Sequence, residues 1–228
     1  MVQCPHVLLC ALLAAGLAAA PPAAAQDLPV EDKLPVGAYA AYAVSQDATS
    51  LDPERPENRQ LLEKKLGFPV RAVQVFERHA LVGSGAARVL VPVPLGWRGF
   101  DDGRRTRLFH PNGEVGFVVS AVSLDQAGGW DNVREQFWDQ VRQHALARRR
   151  EEPRYAVALL RLPGGQFGVR EVNIPDKNGP FSSVIVFMRH PGDPALGVRI
   201  NLFTPVEDFD RYLGLAGLVL RDIRIPQR

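Results

Sequence analysis

The mature part of this 228-residue chain has few side chains suited to chemistry, and their spacing argues against most of what they could do. Of the 5 histidines, His6 lies in an N-terminal apolar leader, leaving His79, His110, His144 and His190. None has another at metal-ligand spacing, and no H-E-x-x-H or paired carboxylate motif accompanies them. His110 and His190 each precede a proline, so both read as exposed turn residues. Ser84, in Val82-Gly83-Ser84-Gly85-Ala86, lacks the spacing of a nucleophile elbow, and Arg88 stands where a dinucleotide loop needs a third small residue. Asp176-Lys177-Asn178-Gly179 opens like a calcium loop but has neither the third acidic position nor the distal Glu, so it predicts a hairpin turn.

Two features keep functional interest. The stretch from Trp97 to Gly103 is framed by glycines and carries two aromatics and two adjacent acids, which predicts a binding loop formed by Trp97, Phe100, Asp101 and Asp102. The competing expectation is that the aromatics turn inward and the acids solubilise a turn. The second feature is a group of cations, Arg142 with the run Arg148, Arg149 and Arg150, toward the end of a predicted helix. It offers a weak contact to an anionic surface, or serves only as a solvated, dipole-complementing helix end.

These groups must be positioned by elements the patterning makes legible. Trp130, Val133, Phe137, Val141 and Ala145 recur at three- and four-residue steps and predict a helix over 131–150, with Asn132 and Glu135 at capping-box spacing. Thr204-Pro205-Val206-Glu207 predicts the start of a last helix, 205–221, with Phe209, Leu213, Ala216 and Val219 or Leu220 buried. Before the first helix lie a short strand at Val89–Val93 and a hairpin turning on His110-Pro111-Asn112-Gly113, whose return strand buries Val115, Phe117 and Val119. Between the helices run four extended segments, 155–162, 167–174, 182–189 and 197–203, joined by short Gly- and Pro-rich links that imply antiparallel neighbours. Val184 to Met188 is apolar on both faces and should lie centrally. The expected fold is α+β: a mainly antiparallel sheet flanked by helices, an α-β-α sandwich spanning 70–228.

Upstream, residues 26–69 read as a Pro- and Ala-rich tether with one short helix near Glu57 to Leu66. Val7 to Ala20 is uncharged and apolar, too short to span a bilayer, and Ala23-Ala24-Ala25 supplies an A-x-A site. This predicts a signal peptide over 1–25, cleavage after Ala25, a periplasmic or secreted mature chain and no transmembrane anchor after cleavage, although Met1–His6 has no Lys or Arg. Cys4 and Cys10 are the 2 cysteines, so the mature chain would have no disulfide, zinc thiolate or cysteine nucleophile. A formal charge of +2 favours neither nucleic acid nor a strongly acidic partner.

From Arg88 to Ile225 the chain resembles the PsbP/DcrB-like family. The resemblance rests on Val91-Pro92-Val93-Pro94-Leu95-Gly96-Trp97, the amphipathic helix after a hairpin, and the closing Val198 to Phe209 run. It implies an exported, non-catalytic accessory or binding protein and transfers no catalytic residue; with the lack of any nucleophile, metal or cofactor constellation, the expectation is a protein without cofactor that binds another envelope protein. The alternative is a periplasmic hydrolase or metal-dependent enzyme whose site assembles from loops such as 97–103 and 175–180.

Overall fold

The computed structural model describes residues 28–44, 53–73, 75–76, 78–83, 87–103 and 105–226. The expected signal peptide, residues 1–25, and Ser84 fall outside them. The described residues build a 9-stranded sheet in the order β1-β9-β10-β11-β12-β8-β7-β6-β2, with a second sheet of 3 strands, β3-β4-β5. In chain order these are β1 (Val30–Glu31), β2 (Arg71–Ala72), β3 (Val75–Phe76), β4 (His79–Val82), β5 (Val89–Pro92), β6 (Arg98–Asp101), β7 (Thr106–Phe109), β8 (Gly116–Ser123), β9 (Ala156–Arg161), β10 (Phe167–Ile174), β11 (Phe181–Arg189) and β12 (Leu196–Pro205). The helices are α1 (Pro56–Leu66), α2 (Trp130–Glu151) and α3 (Phe209–Asp222). The four late strands pair antiparallel with one another, as their short links require, and among the described residues the one parallel pair is β1 with β9.

Alternation along the strands sorts the core into layers. On β11, Val184, Val186 and Met188 point to the α3 side, whereas Ile185 and Phe187 point to the α2 side. α2 contributes Trp130, Val133, Trp138, Val141 and Ala145 to its layer. Phe137, expected in this stripe, is only half-buried against Phe167 and Phe187, and Trp138 takes the deep position. α1 covers the far end of the same face, where Leu62, Leu66 and Phe68 pack on Val70, Phe100 and Phe109. The architecture is an α-β-α sandwich with a mainly antiparallel sheet.

Both helix starts differ from expectation. α2 begins one residue after Gly129, whose φ of 96° suits glycine, and Asn132 reaches back to the Ala127 carbonyl at 2.6 Å instead of capping. Starting there lets Trp130 plug in, its indole donating to the Gly165 carbonyl at 2.9 Å. At α3, Thr204 and Pro205 remain in the β12 ladder opposite Ser182 and Phe181, and a 3-10 turn over Val206–Asp208 leads into the helix. Proline is tolerated there because the strand ends at it.

The segment expected to be a tether is built into the sandwich. Leu28 is buried, β1 extends the sheet edge, and Tyr42 lies in the core. This strap crosses α3 closely: Gly37 N–H donates to the Gly214 carbonyl at 2.9 Å, and a Cβ added at Gly217 would meet the Pro35 carbonyl oxygen at 2.2 Å. α3 is therefore buried almost all round rather than along the single stripe expected.

Candidate binding surface

The four residues expected to form a binding loop occupy a strand and a tight turn, on both sides of the sheet. Trp97 is 2% exposed, stacks on Phe117 with centroids 5.3 Å apart, and donates from Nε1 to the Tyr42 carbonyl at 2.9 Å. Phe100 faces the opposite layer, edge-on to Phe109 at 5.9 Å and roofed by the Arg107 guanidinium. The inward turn of both aromatics fits a strand whose alternate residues must enter different layers. Asp101 accepts from the Gly103 N–H at 2.6 Å and from the Thr106 hydroxyl, while Asp102 accepts from the Arg105 N–H at 2.8 Å and pairs with Arg107. The two acids thus shape the β6–β7 turn, and the expected patch of aromatic anchors beside free charges does not form.

The arginine run is also divided. Arg148 pairs with Glu171, a buried carboxylate on β10 that also accepts from the Tyr155 hydroxyl at 2.5 Å, and the Arg148 guanidinium lies over the Tyr155 ring at 5.8 Å. Burial acts to lower the Arg148 pKa, but the adjacent Glu171 charge and the hydrogen bonds outweigh it and raise it. Burial and the same carboxylate push the Tyr155 hydroxyl above its ordinary range. Arg148 therefore fastens the end of α2 to the sheet and is withdrawn from the anionic contact expected of it. Arg150 remains exposed.

The histidines divide similarly. His190 is 6% exposed rather than an open turn residue. Its Nδ1 accepts from the Gly192 N–H at 3.1 Å, so the Nε2 proton faces the Arg88 carbonyl at 3.3 Å. His110 is half-buried, edge-on to Trp97 at 5.8 Å, and His144 is exposed. Asp176 closes the predicted β10–β11 turn by accepting from the Asn178 N–H at 2.9 Å. Among the described residues, no three His, Cys, Asp or Glu side chains are grouped to hold a metal ion. No helix among them is long and apolar enough to cross a membrane.

Three features of the surface stand out among the described residues. A cleft of about 230 Å³ lies beside Trp97 and Arg98, bounded by Pro53, Val73 and Leu95. A shallow groove of about 320 Å³ runs between the strap and α3, lined by Leu34, Val36, Leu162 and Leu220 with Lys33 and Arg221 at its rim. The third is a stretch of the α2-side sheet face on β8 and β12, where Val118, Ser120, Val122, Arg199, Asn201 and Phe203 are all half-exposed. This face escaped sequence reading. Its signal was the strict alternation of Val198, Ile200 and Leu202 with Arg199, Asn201 and Phe203, which also describes an ordinary solvated face.

Neither a protein-family model, nor a curated protein, nor a solved structure matches the chain.

Proposed function

We propose that this protein is an exported, non-enzymatic accessory protein that binds another protein of the cell envelope. The observation that carries this reading is how its acid–base groups are used. Asp101, Asp102, Glu171 and His190 each serve a turn, an ion pair or a buried hydrogen bond of the fold. Groups committed in this way are poorly placed to exchange protons with a substrate. Apart from the Trp97 cleft, the described residues leave open shallow, half-apolar surface, the kind on which proteins dock. The uncharged Val7–Ala20 run with its A-x-A site supports export, and the resemblance of Arg88–Ile225 to the PsbP/DcrB-like family supports an accessory role.

The test pairs capture with turnover. Tagged full chain, expressed with its leader, should retain one envelope protein reproducibly, and its intact mass should match a chain beginning at Gln26. The same preparation should show no activity on a panel of ester, peptide and phosphate substrates. Turnover abolished by changing one residue of the Trp97 cleft would establish the enzyme instead.

A further inference from the structure

We propose that Asn178 is a site of spontaneous deamidation, where this chain acquires a new carboxylate by reaction with water whether or not it binds a partner. The chemistry needs an asparagine followed by a residue small enough for its backbone nitrogen to reach the asparagine side chain. Asn58, Asn132, Asn173 and Asn201 precede Arg, Val, Ile and Leu, whose side chains crowd that approach. Only Asn112 and Asn178 precede glycine, which has no Cβ and adopts the backbone angles that ring closure requires. Both pairs lie in turns, with φ of 76° at Gly113 and 107° at Gly179.

Hydrogen bonding separates the two. Asn112 is held at both ends of its amide: Oδ1 accepts from the Glu114 N–H at 3.0 Å, and Nδ2 donates to the Glu114 carboxylate at 3.1 Å. The Gly113 nitrogen, which would attack, donates to the His110 carbonyl at 2.8 Å. At Asn178 the backbone N–H donates to the Asp176 carboxylate at 2.9 Å and fixes the turn, while the exposed side-chain amide has no hydrogen-bond partner among the described residues. The Gly179 nitrogen donates to the Asp176 carbonyl at a longer 3.1 Å, and a Cβ built on Gly179 would meet nothing within 4 Å. The space that a five-membered ring needs is therefore open at Asn178, and the amide is free to turn into it.

The reaction balances with water alone. The Gly179 nitrogen loses its proton and bonds to Asn178 Cγ, the bond from Cγ to Nδ2 breaks, and Nδ2 leaves with that proton as ammonia. Water then opens the succinimide, at Cγ to give aspartate or at the backbone carbonyl to give isoaspartate. Nothing is oxidised or reduced, and one water is consumed for each ammonia released. Either product adds a negative charge to a turn in which Asp176 and Lys177 now balance, and isoaspartate also lengthens the backbone by one methylene. The β10–β11 ladder closes at Ile174 and Phe181, outside the modified pair, so the product keeps the fold.

The experiment incubates the full chain in mildly alkaline buffer made with heavy-oxygen water and maps its peptides by mass. Asn178 should take up one heavy oxygen and appear as separable aspartyl and isoaspartyl peptides. In the folded chain it should convert about tenfold faster than Asn112, whose two bonds to Glu114 must break before its Cγ can be reached. In denaturant, where both turns are lost, the two sites should convert at similar rates. Glu114→Ala removes one restraint and should speed conversion of Asn112 about fivefold, with the melting temperature unchanged. Absence of conversion at Asn178 in the folded chain would overturn the proposal, as would equal rates at the two sites there. The same preference for Asn178 in denaturant, or an Asn112 rate unmoved by Glu114→Ala, would overturn the selection by hydrogen bonding on which it stands.

Discussion

Glu171 shows how one buried carboxylate organises its surroundings. An ionised group in the core is tolerated only when paired and hydrogen-bonded, and Arg148 and Tyr155 supply both. Arg148→Ala would leave that charge without its cation and should destabilise the fold by about 3–5 kcal/mol in chemical denaturation. Tyr155→Phe, which removes one donor, should cost about 1–3 kcal/mol. The Tyr155 hydroxyl also predicts behaviour at high pH. Its folded value lies above the ordinary one near 10, so its contribution to stability is complete below that value and is lost as pH rises through the folded value. Tyr39 behaves likewise, raised by burial and by donation to Asp222 at 3.0 Å. In an alkaline titration followed by tyrosinate absorbance, both should ionise only as the chain unfolds. Tyr155→Phe should shrink that late phase by one tyrosine. None of this was legible in the sequence, because Arg148, Tyr155 and Glu171 carry no shared spacing. The arginine read as a solvated helix end because helix ends usually are.

At the scale of elements, periodicity reported well where each residue's burial follows from its own helix or strand. The four late strands, the β7–β8 hairpin and the long helix appear within a few residues of their expected limits. It failed where a neighbour decides. Phe137 and Trp138 are adjacent, and either could continue the α2 stripe. Trp138 wins the deep position because its indole can donate to the Gly168 carbonyl at 3.0 Å, whereas Phe137 slides to the rim against Phe187. Truncating Trp138 to Ala should therefore cost about 3–5 kcal/mol, and Phe137→Ala distinctly less, about 1–3 kcal/mol. Equal losses would mean that the two rings share the core. The Trp97–Gly103 stretch failed for a related reason: its glycines suggested a loop, but Gly99 lies inside β6, where a Cβ would strike Leu108 at 2.5 Å. The glycine there permits close packing across the sheet rather than a flexible approach to a ligand.

The whole molecule depends on a segment that sequence composition assigned to no fold at all. Residues 28–44 are rich in Pro and Ala, so they lack the periodicity of an element, yet they complete the sheet edge and wrap α3. Two glycines of α3 make this possible. A Cβ at Gly214 would meet the Tyr42 hydroxyl at 2.6 Å and the Gly37 nitrogen at 3.0 Å, and one at Gly217 would meet the Pro35 carbonyl at 2.2 Å. Glycine inside a helix is intrinsically unfavourable by about 1 kcal/mol, so its use at both positions marks a contact strong enough to offset that. Gly217→Val should lift the strap from the helix and lower stability by about 1–3 kcal/mol. Because β1 and the Trp97–Tyr42 hydrogen bond hold the strap at two other points, the sandwich itself should survive. Hydrogen exchange separates these parts. In the variant the Gly37 amide should lose its protection while the amides of β11 and β12 keep theirs. Uniform loss of protection across all three would show instead that strap and sandwich fold as one cooperative unit, with the strap contributing to the core as fully as any strand.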